Sequence, residues 1–520
     1  MGVEVASAGG RKPGADAAYA PAPAGRRIAI VGVALVALGF LLAAAFAAGT
    51  LPWRGTADAY EHLDYVYQVH LGNLPEPTGH ALEPARWNIG DTRIEEGRQY
   101  ASAHPPLYYW LAAALVGPLL DDGRLVAAVA AIRGLNVALG LAGLIAMAWG
   151  GWVVGRRWRA PLAIAVPMAG AFSYAYLRFS AEVYNDMLLT AVSITTVVLA
   201  IRILQAGPRP RLMVALSALC VVGMGTKATF VLVLALAVVA VFVGAMLRGR
   251  GRPAVRVLRA TGLSAVPVVA AAAAFGWFYA RNVALSGSWY RSTPVAQVGD
   301  REYRGLFENL ADPRFYGIVP EGLFGKWART VSEAAPAGSA ILFIAGATTT
   351  IVVVVVLLAR RGRRLDHVTG WTIAILAAHL VGQYALQLSH STGYGQYNVR
   401  YFLPATLSFA VLMAFGVTVL RPTRAIAAPA AAVVMMVMSV VSMAALELGP
   451  DAVGADPVGA ILSMGAAGLP REPLALLLPG AIVALVAAGG ALAATLPIAP
   501  GLRATPRRAE PATIGTSRAR

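Results

Sequence analysis

The chain has 520 residues, 58% hydrophobic and only 13% charged, a balance that excludes an ordinary water-soluble globule because apolar runs near the length of a membrane span recur along it. Its formal net charge of +17 is almost all arginine, with lysine only at Lys12, Lys227 and Lys326, and the arginines sit in short loops where they orient helices in a bilayer, so the basic balance does not imply nucleic acid. The single cysteine, Cys220, lies inside an apolar run, which excludes a disulfide framework or a cysteine metal site.

Residues 1–26, rich in Ala, Gly and Pro, are expected to form a disordered cytoplasmic tail, and 498–520 a second, basic one. Between them, 27–497 reads as one all-α polytopic membrane domain. Arg26 and Arg27 precede an apolar run over 28–48, longer than a signal-peptide core and followed by further runs, and so read as a retained anchor. The other runs fall at 127–154, 161–179, 187–204, 212–225, 228–247, 260–280, 339–359, 369–388, 402–420, 425–446 and 474–497, giving about twelve transmembrane helices. Placed alternately, these runs put the arginine-rich loops on one side and most acidic and histidine residues on the other, with both termini cytoplasmic. The run over 105–120 breaks the alternation unless it lies in the membrane interface, a position that suits Tyr108, Tyr109 and Trp110. That leaves a long first extracytoplasmic loop over 49–125 and a second large external segment over 281–338, in which Trp289, Tyr290 and Trp327 stand among charged residues. The cytoplasmic loops are too short to build a nucleotide-binding domain.

The first loop opens with an acidic motif containing Asp58, Glu61, His62 and Asp64, whose helical spacing groups Asp58, Glu61, His62 and Tyr65. A carboxylate held at a membrane surface can act as a general base, and a solvated amphipathic helix explains the same pattern. Asn185 and Asp186 begin the next-but-two run, where Asp186 reads either as a helix N-cap or as an ion partner. Lys227 sits at an external turn as either a snorkelling cation or a phosphate contact. The Gly223–Lys227 stretch lacks the order and the preceding strand of a phosphate-binding loop. A third external cluster contains Gln396, Arg400, Tyr401 and Pro404. Arg400 there runs against the positive-inside bias, which favours an anion partner over interfacial anchoring.

In this order the clusters resemble the GT-C superfamily of membrane glycosyltransferases, in the bacterial branch related to protein O-mannosyltransferases. The resemblance is carried by Asp58 to Asp64 in the first loop, His104-Pro-Pro-Leu-Tyr-Tyr-Trp110, Arg133 with Asn136, Asn185-Asp186, Lys227, and Arg400-Tyr401 with Pro404, and it covers most of 28–420. It implies transfer of a sugar from a polyprenyl-phosphate carrier to an acceptor on the extracytoplasmic face, in cell-envelope glycan or glycoprotein synthesis. In that reading Asp58 or Glu61 is the catalytic base, and Lys227 and Arg400 hold the donor phosphate. His62, His104, Asn185, Asp186, Tyr401 and Gln396 support the pocket. Where related sequences read Asp-Glu, this chain has Asp58-Ala59 with Glu61 two positions on, so the identity of the base stays open between the two.

Two other readings remain. About twelve helices with both ends inside also suit a secondary transporter, although ionisable residues here gather at helix ends rather than at mid-bilayer on broken helices. A non-catalytic envelope-polysaccharide assembly protein that kept the fold is the other. Among His62, His70, His80 and His104 the spacing matches no standard metal site, so no metal or other cofactor is assigned. The sugar and the acceptor are not legible.

Overall fold

The computed structural model describes residues 23–51, 53, 58–77, 80–88, 99–155, 158–290, 304–325, 366–394, 397–419, 424–448, 453, 456–464 and 476–496. Among these the architecture is helical: α1 (Pro23–Thr50), α2 (Ala59–His70), α3 (Leu107–Asp121), α4 (Leu125–Val154), α5 (Arg159–Gly170), α6 (Tyr174–Ser180), α7 (Asp186–Ala206), α8 (Pro210–Met224), α9 (Val231–Arg248), α10 (Pro253–Ser286), α11 (Leu306–Ala311), α12 (Pro313–Phe324), α13 (His367–Tyr394), α14 (Thr406–Val419), α15 (Arg424–Leu448), α16 (Pro457–Ser463) and α17 (Leu477–Thr495).

Eight helices among the described residues are long and apolar enough to cross a membrane: α1, α4, α7, α9 with its preceding turn, α10, α13, α15 and α17. The chain is a multi-pass helical membrane protein. The other four expected runs have different outcomes. The one over 161–179 is not a straight helix: α5 and α6 meet at 76°. Pro167 weakens the end of α5, and Ser173 turns extended while its Oγ donates to the Gly170 carbonyl at 2.9 Å. The runs over 212–225 and 402–420 give short apolar helices, α8 and the Val399–Phe415 stretch. At 1.5 Å per residue, 15-residue α8 is about 22 Å long, less than the hydrocarbon thickness. The run over 339–359 and the two terminal tails lie outside the described residues.

Small residues set how closely the helices approach. The first and last spans, α1 and α17, pack along their lengths, with Gly39 against the Ala481 carbonyl. A Cβ at Gly151 on α4 would collide with the Leu162 carbonyl of α5, so that crossing requires glycine. The most enclosed span is α7, 89% buried and held among α4, α8 and α9. Two residues before its start, Tyr184 meets the loop between α1 and α4 through the Asp58 N–H.

That loop contains α2, α3 and two 3-10 turns, Pro84–Trp87 and Tyr100–Ala103. Asp64 is its hub. The carboxylate, fully buried, accepts from Gln68 Nε2 at 2.7 Å, Leu82 N at 2.8 Å, Trp87 Nε1 at 3.2 Å and Gln99 Nε2 at 2.6 Å. Burial raises the Asp64 pKa, and these four donors oppose the rise. Asp64→Ala is expected to strand the donors at about 1–3 kcal/mol each, visible as a lower unfolding midpoint in detergent. Asp64→Asn, which keeps one acceptor oxygen, should lose less.

Candidate active site

Asp58 stands just before α2 as its N-cap residue, yet its carboxylate makes no capping bond. It turns instead to Arg400, whose Nη1 donates to Asp58 Oδ2 at 2.8 Å across 342 positions of sequence. Arg400 is fixed by the 3-10 turn Val399–Ala405, where the Asn398 side chain accepts from the Arg400 backbone N–H at 3.1 Å. Arg400 and Asp58 side chains keep 15% and 30% of their surface, so the pair is reachable from solvent. A second pair lies deeper: Lys227 Nζ donates to Asp186 Oδ1 at 2.7 Å, with 4% and 3% of the side chains exposed.

Local structure explains the second pair. Lys227 is extended, between the end of α8 and the 3-10 turn Ala228–Phe230 that starts α9, so its ammonium points across to the start of α7. Asn185 Nδ2 donates to the Thr226 carbonyl at 3.2 Å and ties the two chain segments together. Asp186 begins α7, where a negative charge is favoured.

The pairs share aromatic walls. Lys227 Nζ lies 5.6 Å and Arg400 Cζ 5.7 Å from the Tyr401 ring centroid, and Arg400 is 5.5 Å from that of Tyr184. Tyr184 OH accepts from the Asp58 N–H at 3.4 Å. Behind it, His62 meets Tyr184 edge-on at 4.7 Å, and its Nδ1 bonds Tyr109 OH at 2.8 Å. His104 stacks 6.1 Å from His62. The His104-Pro-Pro segment is tied down on three sides: Tyr65 OH donates to the His104 carbonyl at 2.9 Å, Asn282 Nδ2 to the Ala103 carbonyl at 3.2 Å, and the Leu107 N–H to the Gly225 carbonyl at 3.1 Å. Asn136 of α4 completes the support, donating from Nδ2 to the Glu182 and Tyr184 carbonyls at 2.5 and 2.9 Å and accepting from Tyr108 OH at 3.2 Å.

The two first-loop carboxyls differ in environment. Burial alone would raise the Asp58 pKa, but the Arg400 guanidinium beside it, with Lys227 farther off, outweighs burial and holds it below the ordinary 3.8. Glu61, 2% exposed, is held well above its ordinary 4.5 by burial and then by the Asp58 charge, while its Oε2 accepts from the Tyr100 N–H at 3.1 Å. Burial also drives the His62 pKa down to about 3 and that of His104 well below its usual range, so both imidazoles are neutral near pH 7.

Thus Asp58, Asp186, Lys227, Arg400 and Tyr401 form one cluster, with Asn185, His62 and His104 packed around it. Glu61 is turned onto the Tyr100 backbone, and Gln396 lies outside the described residues. The sequence does not mark Tyr184 or Tyr109 as part of this site. Tyr184 directly precedes Asn185-Asp186, but an aromatic residue at a helix start reads as interfacial anchoring. Among the described residues no group of three His, Cys, Asp or Glu side chains could hold a metal ion.

No family model matches the chain, and no curated protein matches it. Among solved structures it is similar to ArnT from Cupriavidus metallidurans bound to undecaprenyl phosphate, at 13% identity and a TM-score of 0.48, over 91% of this chain and 78% of that one.

Proposed function

We propose that the chain is a GT-C-like glycosyltransferase that moves a sugar from a polyprenyl-phosphate carrier to an acceptor hydroxyl on the extracytoplasmic face of a bacterial plasma membrane. In this reading 27–497 is the catalytic membrane domain, and the loops over 49–125 and 281–338 form its external part. The observation that carries the reading is the bond between Asp58 and Arg400 beside the pair of Asp186 and Lys227: two cations and a partly exposed carboxylate, drawn from four distant segments, in one cluster.

Two cations at such a site suit a substrate that arrives with a phosphate and leaves its charge on it. The acceptor oxygen attacks the anomeric carbon as the bond from that carbon to the phosphate oxygen breaks, inverting the centre. Negative charge then grows on the departing polyprenyl phosphate, where Arg400 and Lys227 stabilise it. Asp58 takes the acceptor proton. In the free site Arg400 makes Asp58 a weak base; a phosphate that occupies Arg400 removes that restraint, so Asp58 gains basicity when the donor is bound. Glu61, buried and with its pKa raised, suits a donor of a hydrogen bond better than a base. The polyprenyl tail lies along apolar helix surface.

The test is a transfer assay in proteoliposomes with a panel of labelled polyprenyl-phosphate sugars, comparing the wild type with Asp58→Asn. Turnover with one donor by the wild type and its loss in the variant supports the proposal. No turnover with any donor, alongside solute flux across the vesicle wall, refutes it in favour of a transporter.

A further inference from the structure

Away from the charge cluster, α13 carries a line of buried polar side chains that the proposed chemistry does not use. His379, Gln383, Gln387 and Ser391 recur every four residues, and all are at most 2% exposed. On a helix that spacing puts them on one face, over on the order of 18 Å at 1.5 Å per residue. Some of their needs are met locally: His379 Nδ1 bonds Ser408 Oγ of α14 at 3.1 Å, and Gln387 Nε2 donates to Ser391 Oγ at 3.0 Å. Three atoms are not: His379 Nε2, Gln383 Nε2 and Gln387 Oε1 are buried without a partner.

Leaving three such groups dry inside a membrane span costs free energy at each one, and buried polar groups are regularly satisfied by water. The orphans include both a donor and an acceptor, a requirement water meets and a single ion does not. The stripe also has a direction. At its upper end His390 packs 4.3 Å from the Tyr401 ring, which borders Lys227 and Arg400. Below His379 the same face turns to Ile375 and Leu376, both buried, and to Thr372, whose Oγ1 bonds the Val368 carbonyl of its own helix.

We infer that the α13 face from Ser391 to His379 binds a file of water that enters from the charge cluster and ends at His379, a hydrated vestibule closed toward the opposite side of the membrane. Only the side from which water enters rests on the function proposed above; the existence of the vestibule does not. It joins mid-membrane water to the charge cluster without opening a path through the bilayer.

Single-cysteine accessibility tests this in the full chain with Cys220 replaced by Ala. A charged methanethiosulfonate reacts with thiolate, which forms only where water reaches, so a thiol in hydrocarbon is silent. Ser391→Cys, Gln387→Cys and Gln383→Cys are each expected to label about tenfold or more faster than Val381→Cys, a residue 67% exposed outside the buried stripe of the same helix. Labelling is expected from one side only, compared in intact cells and inverted vesicles. Should Gln383→Cys fail to accumulate, Ser408→Cys, against His379, reports the inner end of the file. Silence at positions 383, 387 and 408 while 391 reacts, or labelling from both sides, overturns the vestibule. Labelling of all positions from the cytoplasmic side alone keeps the vestibule and overturns the sidedness in the proposed function.

Discussion

Lys227→Met is expected to be the most damaging single change at the charge cluster, because it leaves Asp186 buried without its cation. Removing one partner of a buried ion pair typically costs about 3–5 kcal/mol, since the remaining charge has lost both water and counter-ion. Asp186 is 2% exposed and its Oδ2 makes no hydrogen bond, so Arg400, which acts on it only through space, offsets part of the loss. The double variant Lys227→Met/Asp186→Leu removes both charges and should recover most of the lost stability, read as the unfolding midpoint in detergent. If Lys227 serves the donor phosphate, the double variant folds yet stays inactive in the transfer assay. Recovery of turnover along with stability would assign the pair a purely structural role.

The second large effect separates the two first-loop carboxyls. Asp58→Asn is expected to lower kcat by about 10²–10⁴-fold, the usual contribution of a positioned general base. Glu61→Gln should stay within about tenfold of wild type on the same scale, because an amide mimics the protonated acid. Stability should move the other way. The folded chain holds the Glu61 proton well above the ordinary 4.5, whereas the unfolded chain loses it near that value, so folding weakens as pH rises between the two. Glu61→Gln removes this penalty and should unfold later than wild type at neutral pH. For Asp58 the sign is reversed: its contribution is complete above the ordinary 3.8 and is lost as pH falls through the lower folded value. In the pH profiles, the acid limb of kcat/KM, which reports the free enzyme, should lie below that of kcat, because a bound phosphate relieves Asp58 of Arg400. Coincident limbs would mean that donor phosphate and Asp58 do not compete for the guanidinium.

Much of this chain is legible before folding. Hydrocarbon imposes one length and one polarity on every span, so apolar runs and arginine loops alone define a multi-pass helical protein. The polar clusters also stand out, because an ionisable residue near membrane depth is costly enough to require a reason. The sequence does not reveal which cluster meets which. Asp58 with Arg400, and Asp186 with Lys227, are pairings between segments hundreds or tens of residues apart, set by how the helices pack. Glu61 and Asp58 look equivalent in a list of acidic residues. Only the folded loop, which buries one against the Tyr100 backbone and lays the other against a guanidinium, shifts their pKa values in opposite directions. The break between α5 and α6 and the orphaned amides on α13 belong to the same class: hydropathy averages over a window, whereas bends and hydrogen-bond partners depend on what the neighbouring helix places there.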